Sequence, residues 1–231
     1  MLSIALTGGI GCGKSASTQL FYQLASKPTS LCKLEIIDAD IIARHLLSGS
    51  LDENYSQSLS YSALKEVQQL FGSEIFDNKG YLQRDKLRSL IFSSKEKKDQ
   101  LESLLHPLVY QAIFSQMSEI IARNNLPDNN KPCDIVIVAI PLLFETLDQA
   151  IIAKHFDRVL LIDVPTEIQV ERSSQRDNNS AEQIRSIINN QIDRQTRLKQ
   201  ADDIIDNSGT HTDLYEKIDE LWQAYCHLAK Q

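Results

Sequence analysis

Residues 8–15 read Gly-Gly-Ile-Gly-Cys-Gly-Lys-Ser, and they lie between an apolar run, Ser3–Thr7, and a helical pattern over Lys14–Ala25. The spacing matches the motif G-x-x-x-x-G-K-[ST], which requires a strand before it and a helix after it. Glycines let the main chain turn its N–H groups onto phosphate oxygens, and the positive end of the helix dipole points to the same place. This segment, called the phosphate loop below, predicts a binding site for a nucleoside triphosphate.

The residue types of the phosphate loop suit different parts of ATP. Lys14 offers a full positive charge to the β- and γ-phosphates, and the hydroxyl of Ser15 is an oxygen ligand for Mg²⁺. We therefore expect ATP as a substrate and Mg²⁺ as the cofactor. The residues of this segment expected to bind ATP are Gly9, Ile10, Gly11, Cys12, Gly13, Lys14, Ser15 and Ala16.

Further apolar runs predict the rest of a sheet. Runs rich in Leu, Ile and Val with little alternation are typical of strands covered on both faces, as in a parallel sheet. Helical patterns separate these runs, and Asp52–Arg123 contains no convincing strand. The sequence therefore predicts an α/β fold with a doubly wound parallel sheet and helical material inserted at two places. The four additional strands are expected at Leu34–Asp38, Asp134–Ile140, Arg158–Val164 and Asp203–Asp206.

Acidic residues follow two of these strands, at the edge where ligands of open α/β sheets bind. Asp38 ends the second strand, and we expect its carboxylate to accept the proton of a substrate hydroxyl that attacks the γ-phosphate. Asp40 is expected to orient the substrate or to bind Mg²⁺, and it also suits the N-cap of the next helix. Glu145 follows the third strand, either as a ligand of metal or water or as a solvated loop acid.

Composition and charge exclude several classes of protein. The chain has 231 residues, of which 42% are hydrophobic, and a net charge of −7. The hydrophobic share is typical of a globular protein, and the negative charge disfavours nucleic acid as the main ligand. No apolar run approaches the roughly 18 residues of a membrane span, and the cysteines show no metal-site spacing. We expect a cytoplasmic protein with no nucleic-acid or membrane partner, a monomer, with a homo-oligomer left open.

Beyond the phosphate loop, the chain resembles the bacterial dephospho-coenzyme A kinases nearly from end to end. Two strings are much more specific to that family than the loop is: Asp-Ala-Asp-x-x-Ala-Arg within Ile37–Arg44 and Ala-Asp-Asp-x-Ile-Asp-Asn at Ala201–Asn207. The resemblance implies transfer of the γ-phosphate of ATP to the ribose 3′-hydroxyl of dephospho-CoA. The other matching segments are Phe71-Gly72, Gly80–Arg84, Leu105–Leu108, Ile140–Glu145 and Gln175–Asp177.

The resemblance also implies an architecture in three parts. It implies a P-loop NTPase fold, a three-layer α/β/α sandwich with a five-stranded parallel sheet, together with a helical substrate domain and a helical lid. On this basis we expect residues 1–51, 108–170 and 200–231 to form the nucleotide-binding core. Residues 52–107 are then the helical CoA-substrate domain, and residues 171–199 the lid.

Residue roles carried over from the resemblance complete the predicted site. Arg176 in the lid is expected to neutralise charge on the transferring phosphoryl group, because a guanidinium fork matches phosphate oxygens. Asn207 is expected to meet the adenine edge. The catalytic residues are thus Asp38, Lys14 and Arg176, and the metal ligands are Ser15 and Asp40. The residues expected to bind dephospho-CoA are Asp38, Asp40, Arg44, Arg84, His106 and Pro107.

Local patterns give two further expectations. The pair His106-Pro107 predicts a helix break and a new helix start, since proline suits a first helical position. The other arginines of the polar stretch Thr166–Lys199 are expected to form, for the most part, a solvated helix face with local acidic partners. These arginines are Arg172, Arg185, Arg194 and Arg197.

Two other functions stay open from the sequence. A kinase of another small metabolite, such as a nucleoside or a shikimate-type acceptor, would use the same phosphate loop with a different helical insert. An ATP-binding switch or partition-type module would have no transferase activity, but it would leave Asp38 and the arginine-rich segment without a task. A panel of acceptors assayed with ATP and Mg²⁺ separates these classes.

Overall fold

The computed structural model describes residues 1–52, 57–127, 132–177 and 179–231. The chain divides into two compact units, one formed by Met1–Asp38 with Met117–Gln231 and the other by Ala39–Gln116. The predicted substrate domain (52–107) and lid (171–199) include residues 53–56 and 178, which lie outside the described residues. The predicted domain boundaries stay a prediction.

The first unit is built on a parallel sheet, as predicted. Its strands in the described residues are β1 (Leu2–Thr7), β2 (Leu34–Asp38), β3 (Ile135–Ala139), β4 (Arg158–Asp163) and β5 (Asp203–Asp206). Their order is β2-β3-β1-β4-β5, and each neighbouring pair is parallel. This order places β1, and the phosphate loop that follows it, at the centre of the carboxyl edge.

Helices make up most of the rest of the described chain. The helices of the described residues are α1 (Lys14–Ala25), α2 (Ala39–Leu46), α3 (Leu59–Phe71), α4 (Arg84–Ser93), α5 (Lys95–Asn124), α6 (Leu143–Thr146), α7 (Gln149–His155), α8 (Thr166–Asp177), α9 (Ala181–Asn189), α10 (Arg194–Gln200) and α11 (His211–Leu228), with a 3-10 helix at Ser73–Ile75. No helix of the described residues is both long enough and apolar enough to cross a membrane.

Both faces of the sheet are buried. On one face Ile4 and Ile137 pack with Phe21 of α1 and Trp222 of α11, and the two rings meet edge to face with centroids 6.3 Å apart. Val138 points to the opposite face and is also fully buried. Strands whose residues are apolar on both faces are typically covered on both faces of the sheet. The three-layer arrangement predicted from the sequence is therefore confirmed.

The strand register brings the carboxyl ends of β2, β3 and β1 into line. Asp38 lies opposite Ala139, and Ala139 lies opposite Leu6. Neighbouring strands lie about 4.8 Å apart, so the Cα atoms of Asp38 and Leu6 are about 10 Å apart across the sheet. Asp38 and the start of the phosphate loop thus share one edge, with β3 between them.

The second unit is helical. Its core is formed by apolar residues of α3, the 3-10 helix, α4 and the first turns of α5. The only pairings outside the sheet in the described part of the chain are two isolated antiparallel bridges, Ser50 with Tyr81 and Phe76 with Leu82. The core residues of this unit are Leu64, Val67, Phe71, Ile75, Phe76, Leu87 and Leu101.

The helix break predicted at His106-Pro107 is wrong. Pro107 lies inside α5, which runs without interruption over 30 residues. An interior proline removes one main-chain hydrogen bond and crowds the preceding turn. Burial of Leu101 before it and of Val109 and Ile113 after it outweighs that local cost.

Candidate active site

The phosphate loop joins β1 to α1 and is fitted closely to its surroundings. Gly13 caps α1 with φ +98°, and Gly11 has φ +70°, both in the region that side chains rarely adopt. A Cβ at Gly13 would lie 2.3 Å from Nδ2 of Asn207, and one at Gly11 would lie 2.5 Å from Oγ of Ser173. These two glycines are therefore required by main-chain conformation and by space.

The ammonium of Lys14 lies across the loop. Its Nζ donates hydrogen bonds to the main-chain carbonyls of Gly8 (2.8 Å) and Gly9 (3.0 Å), and it lies 3.9 Å from Sγ of Cys12. The positive charge is thus held against the main chain of the loop that the sequence predicts to bind phosphates. Cys12 itself is fully buried, and its predicted contact with ATP stays a prediction.

Asn207 fastens the end of β5 to this loop. Its Nδ2 donates a 2.8 Å hydrogen bond to the carbonyl of Cys12, and its main-chain N–H donates to Asp163 (2.9 Å). The side chain is buried, so the amide nitrogen has a structural partner in this conformation. Its predicted contact with adenine stays a prediction.

A buried carboxylate at the end of β4, which sequence reasoning missed, holds Arg194. Nε and Nη2 of Arg194 donate to the Asp163 carboxylate at 2.9 Å and 2.6 Å, and this bonding raises the pKa of Arg194. The side chain of Arg194 is 39% exposed, but its acidic partner lies 31 positions away, so the expectation of a local partner is wrong. Asp193, its neighbour, instead caps α10 by accepting from the N–H of Thr196.

The segment between α9 and α10 is tied to the loop as well. The side-chain carbonyl of Gln191 accepts from the N–H of Ile10 (3.2 Å), and Oε1 of Glu145 accepts from the N–H of Ile192 (3.0 Å). Glu145 therefore has a defined contact that neither alternative from the sequence anticipated. Gln191 belongs to no sequence motif from which a contact with the phosphate loop could have been predicted.

Arg176 lies near the end of α8 and is largely exposed. Its side chain is 64% exposed, and Nε and Nη2 donate to the carboxylate of Asp177 at 2.7 Å and 2.8 Å. The bond from Arg176 holds the pKa of Asp177 below its usual value. The predicted role of Arg176 at the transferring phosphoryl group stays a prediction.

The predicted substrate residues other than Asp38 belong to the second unit. Asp40 is exposed in the first turn of α2, and Arg44 lies in the last turn of that helix. The guanidinium of Arg84, at the start of α4, donates a 2.9 Å hydrogen bond to the main-chain carbonyl of Arg44. The structure thus brings Arg44 and Arg84 together, while His106 and Pro107 lie in the middle of α5.

Comparison with known proteins assigns a family to this arrangement. A family model described as dephospho-CoA kinase matches residues 2–213. The chain belongs to the dephospho-CoA kinase family. The dephospho-CoA kinase of Pseudoalteromonas translucida is 37% identical, over 98% of this chain and 92% of its own length. That of Acinetobacter baylyi is 36% identical, over 97% of this chain and 98% of its own.

A solved structure agrees with this family assignment. The dephospho-CoA kinase of Campylobacter jejuni matches this fold with a TM-score of 0.63 and 27% identity, over 97% of both chains. The predicted enzyme class, a kinase with a nucleotide substrate, and the predicted P-loop fold are therefore confirmed. The roles of the individual residues stay predictions.

This member of the dephospho-CoA kinase family also carries buried polar side chains beneath its phosphate loop. Gln169 and Ser173 of α8 and Arg197 of α10 are all buried. Arg197 was expected on a solvated helix face, and that expectation is wrong. The sequence alone could not show this burial, because it results from the packing of α8 and α10 against the distant loop.

Proposed function

We propose that the chain transfers the γ-phosphoryl group of ATP to the ribose 3′-hydroxyl of dephospho-CoA, which gives coenzyme A and ADP. The observation that carries this proposal is the shared carboxyl edge, with the phosphate loop after β1 and Asp38 at the end of β2. Family membership supplies the acceptor. A Lys14 ammonium held at the loop supplies the charge that a triphosphate requires.

Asp38 is the proposed proton acceptor. As the 3′-oxygen forms its bond to the γ-phosphorus, the bond to the bridging oxygen breaks and ADP leaves with that electron pair. The proton of the hydroxyl passes to the carboxylate of Asp38. The separation of about 10 Å between Asp38 and the last residues of β1 is suited to a phosphoryl group and an alcohol lying between them.

Charge on the phosphates is neutralised by Lys14 and, in this proposal, by Arg176. The ion pair of Arg176 with Asp177 is exposed. Exposed pairs contribute roughly 0–1 kcal/mol, so Arg176 can exchange its carboxylate for a phosphate at little cost. The remaining ATP contacts are the main-chain groups of residues 9–16 and the predicted contact of Asn207.

The proposed Mg²⁺ ligands are Ser15 and Asp40. Over the described residues there is no group of three or more His, Cys, Asp or Glu side chains that could hold a metal by themselves. This fits Mg²⁺, which commonly takes one or two protein oxygens and completes its shell with substrate phosphates and water. When bound, Mg²⁺ neutralises charge on the β- and γ-phosphates.

Dephospho-CoA is proposed to bind through the second unit. The guanidinium of Arg84 lies against the main-chain carbonyl of Arg44 there, so these two basic residues are neighbours, which suits the diphosphate of that substrate. Asp40, His106 and Pro107 complete the proposed contacts. The cytoplasmic location, the monomeric state and the lack of a membrane partner belong to this proposal. So does the lack of a nucleic-acid partner, which the net charge of −7 supports.

An assay of ADP release tests the proposal. The protein is incubated with ATP and Mg²⁺, with and without dephospho-CoA, and the acceptor is analysed by mass spectrometry. We expect ADP release that requires dephospho-CoA and a product heavier by one phosphoryl group. Equal ADP release without any acceptor would favour a nucleotide switch, and transfer to a nucleoside or shikimate alone would favour another metabolite kinase.

A further inference from the structure

The phosphate loop lies directly on three polar side chains that have almost no contact with solvent. Gln169 is 1% exposed, Ser173 0% and Arg197 3%. A Cβ at Gly9 would lie 2.8 Å from Oε1 of Gln169 and 3.2 Å from Nη2 of Arg197. The guanidinium of Arg197 therefore lies against the same residue whose carbonyl accepts a hydrogen bond from Lys14.

Hydrogen bonding within this buried group is incomplete. Nη1 of Arg197 donates to the carbonyl of Ile192 (2.5 Å), and Nε2 of Gln169 donates to Val164 (3.2 Å). Oε1 of Gln169, Oγ of Ser173 and Nε of Arg197 have no hydrogen-bond partner among the described residues. In native proteins most buried polar groups have a hydrogen-bond partner. Several buried groups without one at the same place therefore point to a role beyond stability.

The charge of Arg197 is also uncompensated. The carboxylates nearest in sequence are occupied elsewhere, since Asp193 caps α10, Asp202 accepts from the N–H of Val159, and Asp203 pairs with Arg158. No carboxylate of the described residues lies within ion-pair distance of Arg197, whereas Arg158, Arg176 and Arg185 each have one. A guanidinium stays protonated at any physiological pH, and burying it without an anion is unfavourable.

We propose that the triphosphate of the bound nucleotide is the counter-ion of Arg197. Arg197 is then a positioning residue. Its guanidinium packs against Gly9 and adds a fixed positive charge on the buried side of the phosphate loop, whereas the ammonium of Lys14 is bonded to the Gly9 carbonyl. The inference rests on the proposed binding of ATP at this loop. Nucleotide binding would relieve the unfavourable burial of the charge, because charge interactions are strong where water is excluded.

Replacement of Arg197 by methionine and by lysine tests this proposal. Arg197→Met keeps an apolar stem and removes the charge, and Arg197→Lys keeps the charge. Affinities for ATP and AMP are measured by calorimetry, and thermal unfolding is followed without nucleotide. Arg185→Met is the matched control, because Arg185 is 48% exposed and pairs with Glu167.

We expect Arg197→Met to weaken ATP binding about tenfold or more and AMP binding less than about threefold, since AMP carries fewer charges. Its thermal midpoint without nucleotide should equal or exceed that of the wild type, because an uncompensated charge is removed. Arg197→Lys should keep ATP affinity within about threefold, because the positive charge is retained, and Arg185→Met should match the wild type. A purely structural arginine would instead lower the midpoint and leave the ratio of ATP to AMP affinity unchanged.

Three results decide against the inference. It is overturned if Arg197→Met binds ATP as tightly as the wild type, or if ATP and AMP affinities fall equally. If Arg197→Met does not fold, a folded Arg197→Lys with strongly reduced ATP affinity overturns it. A wild type that binds ATP without phosphorylating dephospho-CoA would overturn the proposed function alone, and a wild type that binds no ATP would overturn both.

Discussion

The side-chain amide of Asn207 donates a 2.8 Å hydrogen bond to the main-chain carbonyl of Cys12. This bond joins the residue after the outermost strand β5 to the middle of the phosphate loop, across 195 positions of the chain. The main-chain N–H of Asn207 is in turn bonded to Asp163 at the end of β4. The conformation of the phosphate loop is thus fixed by strands that are far from it in sequence.

Removal of this bond should loosen the loop. We expect Asn207→Ala to lower the free energy of unfolding by about 1–2 kcal/mol, because the Cys12 carbonyl loses a buried donor. ATP affinity should fall with it, as measured by calorimetry. Asn190→Ala is the control: its Nδ2 also donates to a main-chain carbonyl, that of Ser186, but on an exposed helix end. Equal effects of the two substitutions would contradict the role assigned to Asn207.

Gly13 should tolerate no side chain. Gly13→Ala adds a Cβ 2.3 Å from Nδ2 of Asn207 at a position with φ +98°. The strain is about 1–2 kcal/mol before any clash, and we expect nucleotide binding to fall below detection. Gly80→Ala provides the comparison, because Gly80 also has a positive φ (+78°) but belongs to the other unit. It should lower stability and leave ATP affinity unchanged; ATP binding by Gly13→Ala at wild-type strength would refute this account.

Arg176 should matter for turnover and hardly at all for stability. Its ion pair with Asp177 is exposed, so Arg176→Ala is expected to change the free energy of unfolding by less than about 1 kcal/mol. The loss of its charge at the transferring phosphoryl group should lower kcat by about 10²-fold or more. Arg185→Ala removes a comparable exposed pair with Glu167 and should keep full turnover. Steady-state kinetics decide, and unchanged kcat in Arg176→Ala would remove Arg176 from the proposed mechanism.

Low pH should weaken the hydrogen bonds by which Asp203 of β5 is joined to β4 and α11. Asp203 accepts from Arg158 (2.7 Å and 2.9 Å) and from the hydroxyl of Tyr225 (2.8 Å). Burial acts to raise the pKa of Asp203, but the bonds from Arg158 and Tyr225 outweigh it, and the pKa lies below its usual value. Because this pKa is lower in the folded than in the unfolded protein, ionised Asp203 stabilises the fold at pH values above the unfolded pKa of about 4. That stabilisation is lost as the pH falls through the pKa of the folded protein.

We therefore expect Asp203→Asn to lower the free energy of unfolding at pH 7 by about 1–3 kcal/mol, because the two donors lose a charged acceptor. The difference should shrink as the pH falls below about 4 and through the lower pKa of the folded protein, because the wild-type carboxylate then loses its charge. Denaturant unfolding at several pH values measures both. Glu220→Gln, at an exposed position of α11, is the control. A difference that stays constant from neutral to acidic pH would contradict this linkage.

The parts of the fold predicted from the sequence are those that depend on neighbouring residues. Buried parallel strands are continuous apolar runs, so β3 was predicted to within one residue at each end. The phosphate loop follows from a local pattern of glycines before a helix. Pro107 shows the limit of such rules, because packing along a 30-residue helix outweighs the local preference for a break.

The parts that could not be predicted depend on distant contacts. Gln191 meets Ile10 across 181 positions, and Asp163 pairs with Arg194 across 31. The burial of Arg197 likewise requires the loop to pack on α10. Spacing along the chain distinguishes none of these residues from the solvated polar residues around them.

Phosphoryl transfer by Asp38→Asn tests the central claim most directly. The substitution keeps the size of the side chain and removes the proton acceptor, while the phosphate loop and Lys14 are unchanged. We predict ATP affinity within about twofold of the wild type and turnover of dephospho-CoA reduced by about 10²–10⁴-fold. Turnover at the wild-type rate would contradict the assignment of Asp38, and with it the proposed geometry of the reaction.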